Sequence, residues 1–463
     1  MREDISDLSG QAAATGQPLV LVVGLARSGE AIARLLLRRG YRVLVNEQRE
    51  RSACEPAASH LETLGCDGVY GGHPLDLLDQ PIAFIVKNPG IPYRMPLIAL
   101  AMERSIPVYT EVEVALWDKQ VTVAAITGSN GKTTTTTLLG EMLRHEGRQP
   151  VVAGNIGLPV AAVVDDMTAD QPLVLEVSSF QLMGTERFHP HLGVFLNLYS
   201  AHLDYHGSRE AYAAAKWRLF ANMTSDDVAI MNWDFDELRE GANRIAAGVF
   251  PFSSRALDGD GVFVRDDTLF ARRNGETLRL LPIEEIGLVG RHNVENCAAA
   301  AAAALMLGVN PQSIVAVLRE FRGVEHRLEY VRTVAGVSYY NDSKSTNSQA
   351  ALASLAAFAS GVIWIAGGLD RGEDFSPLVD ALQNKVEAAI LLGQSQNSLA
   401  AVCELAGVPQ IRCVTSIPEA VLAAQSVAES GQTVLLSPAC ASWDMFSSFE
   451  ERGSMFKEAV HRL

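Results

Sequence analysis

A run of glycine, lysine and threonine residues at positions 127–134 has the composition of a loop that binds phosphate groups. It reads Thr-Gly-Ser-Asn-Gly-Lys-Thr-Thr and follows the mostly apolar residues 121–126. Glycines let consecutive backbone N–H groups curve around phosphate oxygens, and a helix that begins there adds a favourable dipole. The spacing matches only the second half of the full P-loop motif, so a lysine that is merely solvated at a helix start is the alternative. The residues predicted to contact ATP or GTP are Gly128, Ser129, Asn130, Gly131, Lys132, Thr133 and Thr134.

Two further groups could complete a cation site beside this loop. Glu176 ends an apolar run, and a carboxylate at a strand end can hold Mg²⁺ through oxygen together with the Thr133 hydroxyl. An exposed acid at a strand end is the alternative. His202 and His206 follow another apolar run, but no HExxH motif surrounds them, so zinc is not predicted. Histidines are more often packing or surface residues than ligands, and His202 stays a candidate site residue.

A second glycine motif lies near the start of the chain. Residues 24–29, Gly-Leu-Ala-Arg-Ser-Gly, resemble the dinucleotide fingerprint GxGxxG between a predicted strand and a predicted helix. The middle position is Ala26, whose methyl group would hinder the approach of a pyrophosphate, and Glu47 follows where a ribose partner would lie. Three interpretations stay open: a tight turn without a nucleotide, a variant site for another nucleotide, and NAD binding.

The residues around these motifs alternate between short β-branched runs and longer stretches rich in alanine and leucine, which is typical of layered α/β domains. Strands are predicted at residues 19–23, 42–45, 121–126, 362–365, 389–392 and 434–436. Helices are predicted at residues 30–39 and 135–145, short strands with turns at 250–280, and a hairpin at 330–340. Because the pattern restarts twice, we expect three α/β domains over residues 1–110, 111–323 and 324–463.

Composition and charge exclude several classes of function. The chain has 463 residues, with 38 Lys and Arg against 54 Asp and Glu, which gives a formal net charge of −16. This balance argues against general nucleic-acid or anionic-membrane binding, although local loops can still bind phosphate. Six scattered cysteines without a CxxC pair fit a reducing cytosol, the N-terminus lacks the apolar core of a signal peptide, and the alanine run after Cys297 is too short to span a bilayer. We expect a cytoplasmic, monomeric protein without membrane insertion.

Several ordered motifs along the whole chain resemble the Mur ligase family, the ATP-dependent amide ligases of peptidoglycan precursor synthesis. These motifs lie at residues 88–92, 128–134, 154–157, 176–182, 202 with 204, 215–216, 292–293 with 296, 326–327 and 341–347. Within the family, residues 178–182 and 437–444 resemble the members that add D-glutamate.

The resemblance implies a Rossmann-like N-terminal domain for a uridine nucleotide, a central P-loop ATPase-like domain, and a Rossmann-like C-terminal domain for the amino acid and part of the ATP. It implies that the carboxylate of UDP-N-acetylmuramoyl-L-alanine attacks ATP, giving an acyl phosphate that the amine of D-glutamate then attacks. The residues implied for the uridine substrate are Arg27, Ser28, Gln48, Arg49, Gly90, Asn155 and Gln181. Family members often carry Asp-Thr/Ser-Arg where this chain has Glu-Gln-Arg at 47–49.

The same resemblance implies the catalytic residues and the other ligand contacts. The positions implied for catalysis are Lys132, Asn155, Glu176, His202 and Lys216. Thr133 and Glu176 would hold one Mg²⁺, and His202 and a carbamylated Lys216 a second, although the residues alone allow Lys216 to be an ordinary surface lysine. The further residues implied for ATP are Asn293, Asn296, Arg327 and Asp342, and those implied for D-glutamate are Lys344, Thr346, Arg371, Ser442 and Phe449.

One of these positions departs from the family pattern. Arg371 stands where the family usually has lysine. Arginine keeps the positive charge, but its forked guanidinium group is longer than a lysine ammonium. We therefore expect an altered affinity for D-glutamate and not a different amino acid.

Three rival functions remain from the sequence. A folylpolyglutamate-type ligase shares the ATPase architecture, but it lacks a uridine-binding first domain. A non-catalytic nucleotide-sugar sensor could keep the fold, but it would be free to lose Lys132, Glu176, His202 and Lys216, which are all present. An NAD dehydrogenase is disfavoured by Ala26 and leaves the phosphate loop unexplained.

Overall fold

The computed structural model describes residues 17–199 and 202–463, and within these ranges the chain forms three β-sheets. The N-terminal segment used for the signal-peptide prediction lies outside the described residues. The chain divides into two compact units, one formed by residues up to Pro282 with Glu295–Val317, the other by Ile283–Val294 with Leu318–Leu463. The first unit contains two sheets and the second unit contains the third. The predicted boundaries near residues 110 and 323 stay predictions.

The first sheet consists of five parallel strands. They are β1 (Leu19–Val23), β2 (Arg42–Glu47), β3 (Asp67–Tyr70), β4 (Ile82–Lys87) and β5 (Val108–Tyr109). The helices of this region are α1 (Arg27–Arg38), α2 (Ala57–Thr63), α3 (Pro96–Glu103) and α4 (Glu111–Ala115). The strand order is β3-β2-β1-β4-β5, so the direction of the winding reverses between β1 and β4. Ligands of doubly wound folds bind at the carboxyl ends of the strands at this reversal, and the turn at residues 24–29 lies there.

The second sheet has nine strands. They are β6 (Val123–Thr127), β7 (Val151–Gly154), β8 (Leu173–Glu176), β9 (Leu192–Phe195), β10 (Val228–Asn232), β11 (Gly248–Ser253), β12 (Gly261–Arg265), β13 (Thr268–Arg273) and β14 (Glu276–Pro282). Their order is β14-β13-β12-β11-β10-β9-β6-β8-β7. Neighbouring strands from β12 to β7 are parallel, whereas β13 pairs antiparallel with both β12 and β14. The next helices are α5 (Lys132–His145), α6 (Val160–Val163), α7 (Ser179–Leu182), α8 (Leu203–His206), α9 (Arg209–Trp217), α10 (Asp236–Gly241), α11 (Arg291–Met306) and α12 (Pro311–Glu320).

The third sheet has six strands. They are β15 (Glu329–Val334), β16 (Val337–Asn341), β17 (Val362–Gly367), β18 (Val386–Leu392), β19 (Gln410–Cys413) and β20 (Thr433–Leu436), in the order β15-β16-β20-β17-β18-β19. β15 and β16 form an antiparallel hairpin, and the other neighbours are parallel. The helices are α13 (Ser348–Leu355), α14 (Leu378–Leu382), α15 (Gln396–Leu405), α16 (Ile417–Val427) and α17 (Phe449–His461).

The central strands are buried on both faces, as parallel sheets covered by helices require. Every residue of β1, β6 and β17 is buried. The alanines at positions 298–304 of α11 are also completely buried. None of the helices in the described part of the chain is long and apolar enough to cross a membrane.

A buried carboxyl group at the end of the first α/β region predicts a pH-dependent stability. Glu111 is 2 % exposed, its Oε1 accepts a hydrogen bond from the Ala161 backbone N–H at 2.5 Å, and burial raises its pKa to about 7. A carboxyl whose pKa is higher in the folded state stabilises the fold below its unfolded pKa, and this contribution is lost as the pH rises towards 7. Glu111→Gln keeps an acceptor oxygen but cannot ionise.

We therefore expect Glu111→Gln to match the wild type in thermal unfolding at pH 5 and to exceed it by about 2 kcal/mol at pH 8. The exposed Glu103→Gln on α3 controls for the change in net charge. Equal differences from wild type at both pH values for the Glu111 variant would contradict the burial argument.

Candidate active site

The phosphate loop connects β6 to α5, and its shape depends on the backbone conformation of Gly131. This residue precedes the first residue of α5, and its φ of +82° lies in the left-handed region that favours glycine. A Cβ built there would lie 2.1 Å from Oδ1 of the buried Asn296. Both the conformation and the close approach therefore require glycine. Asn296, implied by the family for ATP, contacts the loop itself.

Asn197 holds the phosphate loop in shape, and the sequence analysis did not assign it a role. Its Oδ1 accepts from the Asn130 N–H at 2.9 Å, and its Nδ2 donates to the Asn130 carbonyl at 3.2 Å. The Ser129 N–H donates to the Asn197 carbonyl, and the Ser129 hydroxyl lies 2.9 Å from the Tyr212 hydroxyl. A polar residue two positions after β9, which neighbours β6, was the signal that could have identified it.

Two lysines meet at the same carbonyl oxygen. Lys132 Nζ donates to the carbonyl oxygens of Gly128 at 2.8 Å and Ser129 at 2.9 Å, and Lys216 Nζ donates to the same Gly128 oxygen at 2.7 Å. Lys216 is 1 % exposed, and its Nζ lies 4.8 Å from the centre of the Tyr212 ring. The surface lysine that the residues alone allowed is therefore excluded.

Burial lowers the pKa of Lys216 well below its ordinary value, and the neighbouring Lys132 charge lowers it further. Glu176 opposes this shift without reversing it. The environment therefore favours a neutral amine at Lys216.

Glu176 joins two other predicted site residues. Its Oε2 accepts from the Thr133 hydroxyl at 2.7 Å, and its Oε1 accepts from Asn155 Nδ2 at 2.7 Å. The three residues follow or end the adjacent strands β6, β8 and β7, which bring them to one edge of the sheet. Glu176 is 1 % exposed, so it is not the solvated acid of the alternative interpretation. A carboxylate, an amide and a hydroxyl are oxygen-bearing groups of the kind that hard divalent cations bind, so the residues fit Mg²⁺.

The two histidines of the next segment lie among aromatic rings. His202 is exposed, has a φ of +55°, and its ring lies 4.9 Å from that of Phe180. His206 is buried, its Nε2 lies 3.0 Å from the Ser179 hydroxyl, and its ring stacks on Phe180. Among the residues that the structure describes, no three His, Cys, Asp or Glu side chains cluster as a metal site.

The turn after β1 is built around a carboxylate. Glu47 Oε2 accepts from the Leu25 N–H at 2.6 Å, and its Oε1 accepts from the Arg49 guanidinium at 3.1 Å. Burial opposes ionisation of Glu47, but the Arg49 side chain and the backbone N–H groups outweigh it and lower its pKa. The acid expected as a ribose partner therefore supports the turn, and Arg49 is anchored to it.

The other residues implied for the uridine substrate differ in accessibility. Arg27, Gln48 and Gly90 are exposed near the same strand ends, and the Ser28 hydroxyl accepts from Asn88 Nδ2 at 3.1 Å. Gln181, in contrast, is buried and forms a capping box with Ser178 at the start of α7.

A lysine that the sequence analysis missed joins the loop after β4 to α8. Lys87 Nζ donates to the Ile91 carbonyl at 2.9 Å and to the Tyr205 hydroxyl at 3.1 Å, and burial lowers its pKa to about 7. The Tyr205 hydroxyl itself donates to the carbonyl oxygens of this loop. The segment that carries Gly90 is therefore fastened to the helix that ends at His206.

In the second unit, Asp342 is an internal residue of its domain. Its Oδ1 accepts from the Leu328 N–H at 3.1 Å, and its Oδ2 accepts from the hydroxyls of Ser354 and Ser437. Burial raises the pKa of Asp342 to about 6, and these hydrogen bonds oppose the rise. Asn293 Nδ2 donates to the Val289 carbonyl at 2.8 Å.

Two of the residues implied for D-glutamate place their cations over aromatic rings. Lys344 Nζ lies 3.9 Å from the centre of the Phe449 ring, and the Arg371 guanidinium carbon lies 4.6 Å from that of Trp443. Thr346 is half-buried, and Ser442 is buried beside Trp443.

Arg452, which the sequence analysis did not single out, lies buried beneath this region. It donates to the carbonyl oxygens of Ser343 at 2.9 Å, Cys440 at 3.1 Å and Gly367 at 3.3 Å. These three residues end or follow β16, β20 and β17.

Comparison with known proteins agrees with this architecture. Three family models match in succession: the Mur ligase MurD-like N-terminal domain over residues 18–110, the Mur ligase middle domain over 126–304, and the Mur ligase glutamate ligase domain over 326–440. The UDP-N-acetylmuramoylalanine–D-glutamate ligase of Geobacillus kaustophilus is 47 % identical, covering 96 % of this chain and 97 % of the relative. The ligase of the same name from Latilactobacillus sakei is 44 % identical, with 96 % and 97 % coverage.

This chain belongs to the Mur ligase family. Solved structures of Mur ligases share its fold. UDP-N-acetylmuramate-alanine ligase MurC from Thermotoga maritima has a TM-score of 0.57 at 20 % identity, covering 96 % of this chain and 99 % of its own. MurF ligase from the same organism, in complex with ADP, has a TM-score of 0.57 at 17 % identity, with 91 % and 95 % coverage.

The Mur ligase assignment confirms three predictions from the sequence: the family with its D-glutamate-adding branch, the three-domain α/β architecture, and an ATP-dependent, ADP-forming ligase. The roles of the individual site residues stay predictions.

The contact between Gly131 and Asn296 predicts which of the two glycines that flank α5 matters for nucleotide binding. Gly131→Ala would place a methyl group against the Asn296 side chain, so we expect the affinity for Mg-ATP to fall at least about tenfold by calorimetry. Gly147, just after the same helix, is a matched control because its φ is +83° but a Cβ there would meet no atom within 4 Å.

Both alanine variants carry the same backbone cost of about 1 kcal/mol, and only Gly131→Ala carries the collision. Equal affinities of the two variants for Mg-ATP would show that the collision does not govern nucleotide binding.

Proposed function

We propose that this Mur ligase joins the L-alanine carboxylate of UDP-N-acetylmuramoyl-L-alanine to the amine of D-glutamate, with ATP as the activating substrate, in peptidoglycan precursor synthesis. The observation that carries the reaction class is the cluster at the ends of β6, β7 and β8. There the loop at residues 128–134, Glu176 and two lysine amines lie together. The acceptor is supported by the names of the near full-length relatives.

The chemistry needs this concentration of positive charge. A free carboxylate is a poor acylating agent, and transfer of a phosphoryl group to it creates a leaving group. The barrier to that transfer is chiefly the repulsion between an anionic nucleophile and an anionic phosphate. Lys132 at the start of α5 would neutralise phosphate charge, and the loop N–H groups would hold the phosphates in line. The D-glutamate amine then attacks the acyl carbon, the amide forms and phosphate leaves.

Mg²⁺ would neutralise further phosphate charge when it is bound. The Thr133 hydroxyl and the Glu176 carboxylate would hold it, since they already lie 2.7 Å apart and Asn155 fixes the other carboxylate oxygen. His202 and a carbamylated Lys216 would hold a second ion. Asn155 would in addition orient the muramoyl substrate.

The buried environment of Lys216 supports carbamylation. The reaction joins a neutral amine to CO₂ and gives a carbamate and a proton, so it requires an unprotonated lysine. Burial and the nearby Lys132 charge lower the pKa of Lys216 and favour that form. The carbamate would replace a neutral amine beside Lys132 with an anion, which the Lys132 charge stabilises.

The remaining assignments complete the proposal. The UDP-linked substrate would bind through Arg27, Ser28, Gln48, Arg49 and Gly90 at the ends of β1, β2 and β4, and through Asn155 and Gln181. ATP would contact Asn293, Asn296, Arg327 and Asp342, and D-glutamate would contact Lys344, Thr346, Arg371, Ser442 and the backbone near Phe449. We assign a cytoplasmic monomer, with domain boundaries near residues 110 and 323.

The first test measures phosphate release by the pure protein with Mg-ATP and UDP-N-acetylmuramoyl-L-alanine across a panel of D- and L-amino acids. Release with D-glutamate alone is the expected result. Release only with another amino acid would overturn the acceptor assignment while leaving the ATP site intact. Binding of ATP without release for any acceptor would indicate a sensor that has kept the fold.

Carbamylation of Lys216 predicts a spectroscopic signal as well as a loss of rate. In ¹³C-bicarbonate the wild type should show a carbamate resonance that Lys216→Arg lacks, since a guanidinium does not add CO₂. We expect the signal and the activity to fall together as the pH is lowered, because the amine becomes protonated. We expect Lys216→Arg to lose at least about a hundredfold in kcat.

Lys385→Arg is the matched control, since Lys385 is also partly buried and donates to a backbone carbonyl, that of Leu355. It should keep both the resonance and the rate. A wild-type spectrum without a carbamate resonance in fully active enzyme would refute the modification.

A further inference from the structure

Trp443 is exposed far beyond what its size and apolar character favour. It is 66 % exposed, whereas Trp364 in the same unit is completely buried. The ring of Trp443 faces Arg371, whose guanidinium carbon lies 4.6 Å from the ring centre. This distance is within the range of a cation–π contact. The exposed tryptophan therefore has a specific neighbour, and that neighbour is the arginine implied for D-glutamate.

The backbone brings these two side chains together. The Leu369 N–H donates to the Ala441 carbonyl at 2.9 Å, and the two residues form an antiparallel bridge. Arg371 and Trp443 each lie two positions beyond this bridge in their own loops. Because the loops are joined at their bases, the contact does not depend on the side chains alone.

Both loops are also ordered individually. The Gly372 N–H donates to Asp370 Oδ1 at 2.8 Å, which closes a turn around Arg371. Asp444, the residue after Trp443, accepts from the Gln394 N–H at 3.0 Å. The turn after Ser442 is closed by the Met445 and Phe446 N–H groups, which donate to the Ser442 carbonyl. Trp443 is thus presented on a fixed backbone next to Ser442.

We propose that Trp443 is a positioning residue whose ring orients the Arg371 guanidinium towards a carboxylate of the incoming amino acid. A guanidinium that stacks on a ring keeps its N–H edges free in its own plane, and those edges match a carboxylate in bidentate geometry. An exposed arginine on its own explores many rotamers, and ordering them weakens binding. This proposal deepens the proposed function and rests on its assignment of Arg371.

The proposal explains how an arginine can serve where a lysine is the expected residue. A lysine ammonium is a point charge, and its three donors can rotate freely. An arginine fork binds a carboxylate well in only one plane, so its orientation must be fixed. In the same unit a lysine ammonium, that of Lys344, also lies over an aromatic ring, that of Phe449. A ring can fix the plane of the arginine donors, whereas a lysine ammonium has no such plane to fix.

The test uses the full chain and measures D-glutamate-dependent phosphate release for wild type, Trp443→Leu, Trp443→Phe, Arg371→Lys and the double variant Arg371→Lys/Trp443→Leu. We expect Trp443→Leu to raise the KM for D-glutamate about three- to tenfold with little change in the KM for ATP. Trp443→Phe keeps an aromatic face and should restore most of the affinity. In the Arg371→Lys background the leucine substitution should change the KM less than twofold.

Met445→Ala is the matched control, because Met445 is a partly exposed apolar residue of the same loop. It should leave the KM for D-glutamate within twofold of wild type. A merely structural role for Trp443 would lower the thermal midpoint and change the KM of all three substrates together. That outcome, or an equal effect of Trp443→Leu in the wild-type and Arg371→Lys backgrounds, would overturn the proposal.

Failure of the proposed function gives a different result. If the wild-type enzyme responds only to another amino acid, the assignment of D-glutamate as the acceptor is overturned. The same variants are then assayed with that amino acid. Coupled effects of the Arg371 and Trp443 substitutions on its KM would still support the role of Trp443, and additive effects would refute it. If the wild-type enzyme releases no phosphate with any amino acid, both proposals would be overturned.

Discussion

The first unit depends on one electrostatic constraint, which is that two lysine amines bind one carbonyl oxygen, that of Gly128. Two ammonium groups about 4 Å apart would repel each other by about 4 kcal/mol at an effective dielectric constant of about 20. The repulsion is relieved when one amine is neutral or when an anion binds between them. The site therefore favours a neutral Lys216, and the Lys132 charge would attract the phosphates of a nucleotide although the whole chain carries a net charge of −16.

In the second unit the buried guanidinium of Arg452 holds several loops in place. Arg452 is 1 % exposed, and burial lowers its pKa to about 10, a value at which it still carries its charge at neutral pH. It donates to carbonyl oxygens beyond three strands, and Lys344, Arg371 and Ser442 follow those oxygens by one to four residues. One buried guanidinium thus fixes the bases of all the loops that carry these three residues assigned to the amino acid. Hydrogen bonds from a charged donor are stronger than those between neutral groups.

Local patterns in the sequence predicted much of this arrangement. Strong apolar runs gave β1 and β17, and the hairpin β15–β16 was predicted from its turn. Helix starts were less accurate: α1 begins at Arg27 and not at residue 30, because Gly29 was interpreted as part of the turn although it packs against the Gly24 carbonyl. The residues that hold the site escaped prediction for one physical reason. Asn197 binds a loop 67 residues away and Arg452 binds one 109 residues away, and no local pattern marks such partners.

The lysine of the phosphate loop and the arginine assigned to the amino acid differ in exposure, and this difference suits the ligand proposed for each. Lys132 is half-buried and folded against its own loop, so its charge would act on a bound polyphosphate in a lower dielectric than bulk water, where attraction is stronger. Such strength suits a nucleotide that must stay aligned through phosphoryl transfer. Arg371 is exposed and gains its order from a ring rather than from burial, so its attraction for a carboxylate is screened by water. Weak but well-oriented binding would suit an amino acid whose amine must meet the acyl carbon in one orientation and which leaves as part of the product.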